Sequence, residues 1–434
     1  MKTKLQILTA SAFVLLCGAQ MAKAQTEVAN VRPYDKSGIN VFEAPKDSTA
    51  VFEKIKVKFG AGFTQSFQGL KHENSNTTNI PANELYKITP GFNTANANLF
   101  MNVQLADGIL LNLTSYLSSR HHNETWVKGG YIQFDKLPFK GEVWENIMKY
   151  ATLKVGHMEI NYGDQHFRRS DGGHTLYNPF AENYILDGFT TEIGGELLLR
   201  KDMFFGVIGA SNGMIKGNID ELTPTAQDDN IKKNPSIYLK AGVDKQVTTD
   251  LRLRLAASYY TNTSSGGQTL YGGDRTGSNY FMVMEKVGGT AAANAFSGRL
   301  NPGFSKKVEA IQLNAFAKFQ GLELFGTYET TSGRTKAETA ERDVNQFAID
   351  GVYRIGKAEN VFIGARYNVV KAELAGIANE VEVNRVAVGA GWFLTNNILL
   401  KGEYVTQKYK DFPVADYRAG GEFSGYVIQA VVGF

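Results

Sequence analysis

The sequence contains little cysteine, and beyond its first residues it has no long apolar run. Among 434 residues the one cysteine is Cys17, near the N-terminus, so no disulfide links parts of the remaining chain. From residue 25 onward no run of about 20 apolar residues occurs, which excludes a membrane-spanning helix there. The 46 basic and 43 acidic residues nearly balance, and no basic cluster with interleaved aromatics occurs, so nucleic acid is excluded as a partner.

Catalytic and metal-binding motifs are missing as well. The chain has six histidines, and neither the pair His121 and His122 nor His166 with His174 has the spacing of metal ligands. No local G-x-S-x-G motif predicts a hydrolase. These absences predict a protein that is not an enzyme and that binds no metal and no cofactor.

The N-terminus has the pattern of an export signal. Two lysines precede an apolar run at residues 7–18, and residues 22–24 read Ala-Lys-Ala, which fits an A-x-A cleavage site. We therefore predict a signal peptide over residues 1–24 and an exported mature protein.

Glycine, aromatic residues and two-residue alternation are abundant. The chain has 45 glycines, 27 phenylalanines and 20 tyrosines. In the segment LRLRLAASY, Leu251, Leu253 and Leu255 alternate with Arg252 and Arg254. Arginine at every second position excludes a strand that is buried on both faces. One face must therefore meet an apolar environment and the other a polar one.

Alternating segments of this kind recur about sixteen times along the chain. They include predicted strands at 150–163, 251–262 and 398–410. Short turns and longer loops alternate between them, which is typical of outer-membrane barrels with short periplasmic turns and long extracellular loops. The sequence therefore predicts an all-β fold, a transmembrane antiparallel β-barrel of about 16 strands over residues 51–434, after a periplasmic N-terminal segment at 25–50.

The last ten residues, GYVIQAVVGF, form a predicted strand with one apolar face. That face consists of Tyr426, Ile428, Ala430, Val432 and Phe434. In a barrel this face meets lipid, and the strand pairs with the first strand so that no edge is left bare. The alternation and the final phenylalanine resemble the closing strand of Gram-negative outer-membrane proteins. This resemblance implies an assembly signal at Phe434 and the barrel assembly machinery as a partner.

A second resemblance lies in the segment GHMEINYGDQHFRRSDGGHTLYNPFAENYILD, at residues 156–187. It is similar to a stretch of Bacteroidetes outer-membrane porins that are loosely related to phosphate-selective porins. The resemblance implies a channel for small solutes, but it carries over no phosphate-binding residue.

The number of strands predicts a channel. A barrel of about 16 strands encloses an aqueous lumen unless a plug fills it, and residues 25–50 suffice for a partial hatch but not for a folded plug domain. We therefore predict a porin in the cell outer membrane, surrounded by lipid, through which small hydrophilic solutes diffuse passively. A substrate-specific channel for phosphate or another anion, and a barrel adhesin or surface receptor without conductance, remain alternatives. A homotrimer is compatible with this class, but no sequence signature tests for it.

Charges on the lumen-facing positions predict a mild preference for anions, because basic residues outnumber acidic ones there. The residues proposed to line or constrict the pore are Arg168, Arg169, Arg252, Arg254, Arg366 and Arg385. The first two lie in the predicted loop 164–186, which either folds into the lumen as a constriction or stays at the surface with solvated arginines. The longest loop, 263–305, is the other candidate for folding inward.

Overall fold

The structure, a computed structural model, describes residues 28–46, 51–75, 81–93, 95–118, 125–294 and 296–434. The signal peptide predicted over residues 1–24 and the pair His121 and His122 lie outside the described residues. Within the described ranges, no helix has both the length and the apolar composition needed to cross a membrane.

Seventeen strands form one antiparallel sheet in the described part of the chain. They are β1 (Lys56–Glu73), β2 (Gly91–Phe92), β3 (Asn96–Ala106), β4 (Ile109–Leu117), β5 (Trp126–Phe134), β6 (Ala151–Glu159), β7 (Thr191–Lys201), β8 (Phe204–Ser211), β9 (Ser236–Gln246), β10 (Leu251–Asn262), β11 (Lys307–Phe319), β12 (Leu322–Arg334), β13 (Arg342–Ile355), β14 (Val361–Ala372), β15 (Val381–Phe393), β16 (Ile398–Lys410) and β17 (Glu422–Gly433). β2 has only two residues and pairs with β1, so sixteen strands are long enough to form the wall.

The sixteen long strands close into a barrel. Each pairs with its neighbours in chain order, and β1 pairs with both β3 and β17. In the closing pair Gly62 lies opposite Gly433 and Glu73 lies opposite Glu422. Because the first and last strands pair, neither leaves an open edge. The predicted fold, an all-β transmembrane antiparallel barrel, is confirmed.

Successive residues of each strand face opposite sides of the wall. On β10, Leu253 and Leu255 are 43% and 58% exposed on the outside, whereas Arg254 is 1% exposed on the inside. Tyr353 and Trp392 also stand on the outside, where half of each side chain is exposed. The outside of the wall is therefore apolar and aromatic, as contact with a bilayer requires.

The connections distinguish two ends of the barrel. At the short-turn end, tight turns join β7 to β8, β11 to β12 and β15 to β16. The connection from β5 to β6 is an exception at this end, because it spans residues 135–150 and contains helix α1 (Glu142–Met148). The opposite end, the long-loop end, bears the connections at 160–190 and 263–306.

The predicted strand bounds hold where the wall is regular and fail where the chain leaves it. β10 and β16 have the predicted bounds 251–262 and 398–410. The predicted strand 150–163 is too long, because β6 ends at Glu159 and the chain then turns into the barrel. Apolar residues still alternate there, but they are buried inside the barrel and no longer face lipid.

Candidate functional site

Three segments occupy much of the barrel interior. We name them the N-terminal ring (residues 28–46), the inner loop (160–190) and the outer loop (263–306, described except for residue 295). Nearly every residue of the inner loop is buried. In the outer loop, Leu270 and Val283 are fully buried. Of the two alternatives for the arginine-bearing loop, the structure therefore shows the inward one.

The N-terminal ring runs once around the inside of the short-turn end. It starts and finishes at one carboxylate, because Asn30 Nδ2 donates to Asp135 (3.0 Å) and Lys46 Nζ pairs with the same group (3.3 Å). Between these two residues, the ring contacts successive parts of the wall. Tyr34 stacks on Phe100 of β3, and the backbone N–H of Lys36 donates to the backbone oxygen of Asn396, after β15. Farther along, Asn40 donates to Glu323 of β12, and Glu43 accepts from Arg254 of β10. The described part of the predicted segment 25–50 therefore lies within the barrel mouth.

One side chain of the N-terminal ring, Arg32, reaches the inner loop. The guanidinium of Arg32 donates to the backbone oxygen of Gly38 across the ring at 2.8 Å and to that of Phe167 in the inner loop at 2.9 Å. It also lies 3.8 Å from the centre of the Tyr177 ring. Arg32 therefore joins the N-terminal ring to the inner loop.

The inner loop is held by polar side chains of the wall. Buried backbone N–H groups need acceptors, and side chains at inward strand positions supply them. These hydrogen bonds run from Gly163 N to Ser258 (3.0 Å), Asp164 N to Asn314 (2.8 Å), Ala181 N to Glu403 (2.9 Å), Ile185 N to Asn368 (2.7 Å) and Leu186 N to Gln346 (3.0 Å). Inward polar residues of β10, β11, β13, β14 and β16 therefore bind protein groups here.

Arg254 lies at the centre of a buried cluster of charges. Its guanidinium donates to Asp164 of the inner loop (2.7 Å), to Glu43 of the N-terminal ring (2.9 Å) and to Asp244 of β9 (3.1 Å). Burial raises the pKa of the Glu43 carboxyl, but Lys240 and Arg254 outweigh it and hold that pKa well below its usual range. One wall arginine thus binds both internal segments.

The three remaining strand arginines that were predicted to line the pore also face the interior. Their nearest side-chain partners are Asp244 for Arg252 (2.7 Å), Asp350 for Arg366 (2.7 Å) and Gln407 for Arg385 (2.7 Å). The parity assigned from the sequence is right for these positions, but these guanidinium groups bind other side chains of the protein.

Arg168 and Arg169 lie on the inner loop with different surroundings. Arg169 binds the carboxylates of Asp171 and Asp187. Burial raises the pKa of Asp171 to about 6, against the attraction of Arg169. Arg168 donates through Nη1 to Asn40 of the N-terminal ring at 2.5 Å. All six predicted arginines lie inside the barrel, and their role in constricting a pore stays a prediction.

Along β3–β7 the internal segments stand away from the wall and leave a cavity of about 180 Å³, which we call the side cavity. Three basic and three acidic residues line it, namely Arg32, Lys128, Lys154, Glu43, Glu159 and Glu196. Tyr34, Phe100 and Tyr131 add aromatic surface. Lys154 has the loosest ion pair of this group, with 4.0 Å to Glu196 and 24% of its side chain exposed. The side cavity can therefore hold a small solute between polar and aromatic groups.

Three of the six histidines line the side cavity: His157, His166 and His174. Burial lowers the pKa of His174 to about 4. Burial lowers the pKa of His166 as well. Within the described ranges, no group of three or more His, Cys, Asp or Glu side chains is arranged to hold a metal ion. Sequence reasoning missed this grouping, because the spacing of the three along the chain follows no regular period.

A second cavity, the mouth cavity, lies at the short-turn end and measures about 910 Å³. It is separated from the side cavity by a polar cluster around Asp135, which we call the Asp135 clamp. Asp135 accepts from Asn30 (3.0 Å), Gln133 (2.8 Å) and Thr152 (2.7 Å) and pairs with Lys46 (3.3 Å). Asn30 lines both cavities. The clamp was not foreseen from the sequence, because its members come from three separate segments.

Phe434, the predicted assembly signal, lies just beyond the end of β17. Its side chain is half exposed, and its backbone exchanges two hydrogen bonds with Ala61 of β1, at 2.9 and 3.0 Å. Phe434 therefore extends the pairing that closes the barrel. Its role in assembly stays a prediction.

Comparison with known proteins identifies the fold. No family model matches the chain, and no curated protein matches it by sequence. Among solved structures, the anion-selective porin from Comamonas acidovorans matches 88% of this chain and 100% of its own, at 11% identity and a TM-score of 0.52. The outer membrane channel DcaP of Acinetobacter baumannii matches 88% of this chain and 97% of its own, at 12% identity and a TM-score of 0.50. The chain thus has the fold of outer-membrane porins.

Proposed function

We propose that the protein is an outer-membrane channel that passes small hydrophilic solutes along one side of its lumen. The route leads from the mouth cavity past the Asp135 clamp and through the side cavity, between β3–β7 and the internal segments. The observation that carries the proposal is that the mouth cavity and the side cavity, each lined by polar as well as apolar residues, share Asn30. A narrow route favours a selective channel over a wide general porin.

The architecture supports a location in the outer membrane. A closed barrel pairs its backbone groups strand to strand, and an apolar outer surface fits the lipid around it. In this proposal the wall contacts outer-membrane lipid, the barrel assembly machinery inserts the chain, and the protein is a conduit that catalyses no reaction. Assembly into a homotrimer stays a prediction from the sequence.

Charge along the route supports at most a mild preference between ions, because basic and acidic residues line the side cavity in equal number. A preference for anions would depend chiefly on Lys154, whose partner Glu196 is 4.0 Å away. The aromatic rings of Tyr34, Phe100 and Tyr131 favour solutes that combine polar with apolar groups.

Single-channel recording in planar bilayers tests this proposal. The wild-type protein should show a small conductance. In Asp135→Ala, Asn30 and Lys46 lose the carboxylate that holds both ends of the N-terminal ring, so the open conductance or the open time should rise. The matched control is Asp229→Ala, which removes a carboxylate from an exposed loop and should leave the recordings unchanged.

Two results would contradict the proposal. Absence of conductance in both the wild-type protein and Asp135→Ala would favour the surface receptor or adhesin. A conductance that is the same in the wild-type protein, Asp135→Ala and Asp229→Ala would mean that solutes do not pass the Asp135 clamp.

A further inference from the structure

A small cavity lies between the inner loop and the wall, apart from the proposed route. We call it the arginine cavity. It measures about 10 Å³ and is lined by Gln165, Arg168, Arg169, Asn183, Tyr184, Asp187 and Arg366. A space of about 10–15 Å³ holds one water-sized particle. Any occupant is therefore monatomic or of similar size.

Three buried side chains on this cavity have polar atoms without partners. The Nε and Nη2 atoms of Arg168, both amide atoms of Gln165 and the hydroxyl of Tyr184 have no hydrogen-bond partner among the described residues. All three side chains are only 5% exposed. A buried donor that stays unsatisfied costs about 1–3 kcal/mol, and more for a charged group. Nε and Nη2 form one edge of the guanidinium, the edge that typically grips an anion.

Arg168 is also the least neutralised guanidinium of the three on this cavity. Asp187 accepts from both Arg169 and Arg299, and Arg366 pairs with Asp350 at 2.7 Å. The carboxylate that lies near Arg168 is Glu323, at 3.8 Å, and Glu323 is bound more closely by Arg354, at 2.7 Å. One carboxylate therefore serves two guanidinium groups, and positive charge is in local excess beside Arg168.

A cavity that we call the basic vestibule lies on the other side of the contact between Arg168 and Glu323, at the short-turn end. It measures about 870 Å³, and both Asn40 and Glu323 line it. Its charged residues are five basic ones (Lys36, Arg252, Lys318, Arg354 and Lys357) and three acidic ones (Asp250, Glu323 and Glu359). A cleft with an excess of one sign of charge concentrates ions of the opposite sign. Small anions are therefore enriched next to the arginine cavity.

We propose that the arginine cavity is a binding site for one halide ion, with chloride as the natural occupant. The free edge of Arg168 and the amide nitrogen of Gln165 would donate to the ion. The size of the cavity excludes phosphate, sulfate and larger carboxylates. Three guanidinium groups against the one carboxylate of Asp187 disfavour a metal cation. The site does not depend on conduction, because it lies away from the side cavity.

Bromide scattering tests the proposal directly. Crystals of the full-length protein soaked in sodium bromide should give an anomalous peak next to Arg168 at the bromine absorption edge. The peak should be lost in Arg168→Met. It should persist in the control Arg252→Met, which removes an interior arginine that does not line the cavity. An absent peak in the wild-type protein, or a peak that persists in Arg168→Met, overturns the proposal.

A solution measurement keeps the proposal testable if Arg168→Met does not fold. The temperature at which the wild-type barrel loses its compact form on a gel should be higher in sodium chloride or bromide than in sodium gluconate of equal ionic strength, since gluconate is too large for the cavity. Equal temperatures in the three salts overturn the proposal. A conservative Arg168→Lys variant, which keeps the charge but loses the guanidinium edge, should show a smaller difference between the salts.

Discussion

The two sides of the barrel consist of the same alternating strands, but their inward faces meet different partners. On the packed side, β9–β16, inward groups bind the N-terminal ring and the inner loop. On the open side, β3–β7, inward groups also bind one another, as Asn112 does when it donates to Asn102 at 2.7 Å, and they border the side cavity. Strands of the open side are also shorter, with nine residues in each of β4, β5 and β6 against thirteen in β11 and β12.

This difference shows what the alternation of polar and apolar residues does and does not determine. Alternation decides which residues face inward. Whether the inward face is packed or hydrated depends on a second segment that brings complementary groups to it. Matched substitutions on the packed side, on the open side and on the lipid face test this difference.

Removal of one basic side chain should lower the free energy of unfolding much more on the packed side than on the open side. Arg254→Met leaves Glu43 and Asp164 buried with Lys240 as their remaining basic partner. Breaking a buried pair costs about 3–5 kcal/mol, so we expect a loss towards the lower end of that range. Lys154→Met on the open side removes a looser pair, at 4.0 Å, and the buried Glu196 still accepts from Asn161 N and Tyr238 Oη, so the cost should be clearly smaller. The free energy of unfolding in urea, measured in lipid vesicles, checks this. Similar losses of unfolding free energy in both variants would show that the packed side and the open side do not differ in this way.

An added arginine should distinguish the lipid face from the open side. Leu313 is in the middle of β11 and faces lipid, where an arginine costs about 2–4 kcal/mol. Thr114 lines the side cavity, where an arginine can stay hydrated and should cost less than about 1 kcal/mol. We expect a low folding yield for Leu313→Arg and a nearly normal one for Thr114→Arg, read from heat-modified gel mobility. Equal yields would mean that one of the two faces is assigned wrongly.

Ion selectivity should respond to charge on the open side. Lys154→Glu reverses a charge in the side cavity, so the zero-current potential in a potassium chloride gradient should move towards cation selectivity. Lys232→Glu changes an exposed lysine outside the cavity by the same amount and should move it much less. If the two variants shift the potential equally, ions do not pass Lys154.

The smallest effect concerns pH. His174 borders the side cavity, and burial lowers its pKa from 6.5 to about 4. Between these two values the unfolded chain binds more protons than the folded one, so acidification from about pH 6.5 to pH 4 destabilises the barrel. His174→Gln should lose this component and show a flatter dependence of heat-modification temperature on pH. The same slope in both proteins would show that His174 does not titrate in this range.

The sequence determines the wall well and the interior poorly. Alternation predicted the bounds of β10 and β16, because each residue of these strands faces one of only two environments, the lipid or the lumen. It also placed Arg254 inside. It could not show that Glu43, 211 residues away, is a partner of Arg254, because neither the N-terminal ring nor the inner loop has a period that encodes position. Asp135 and the three cavity histidines were missed for the same reason.

The N-terminal ring is synthesised before the wall, yet its contacts come from far along the chain. Lys36 binds Asn360, which is 324 residues away, at 2.5 Å. Contacts between such distant residues form late, because the intervening chain has to be in place first. The N-terminal ring can therefore settle only when the strands it touches, from β3 to β16, already stand side by side. A wall that lacked one of these strands would therefore leave part of the N-terminal ring without its partners.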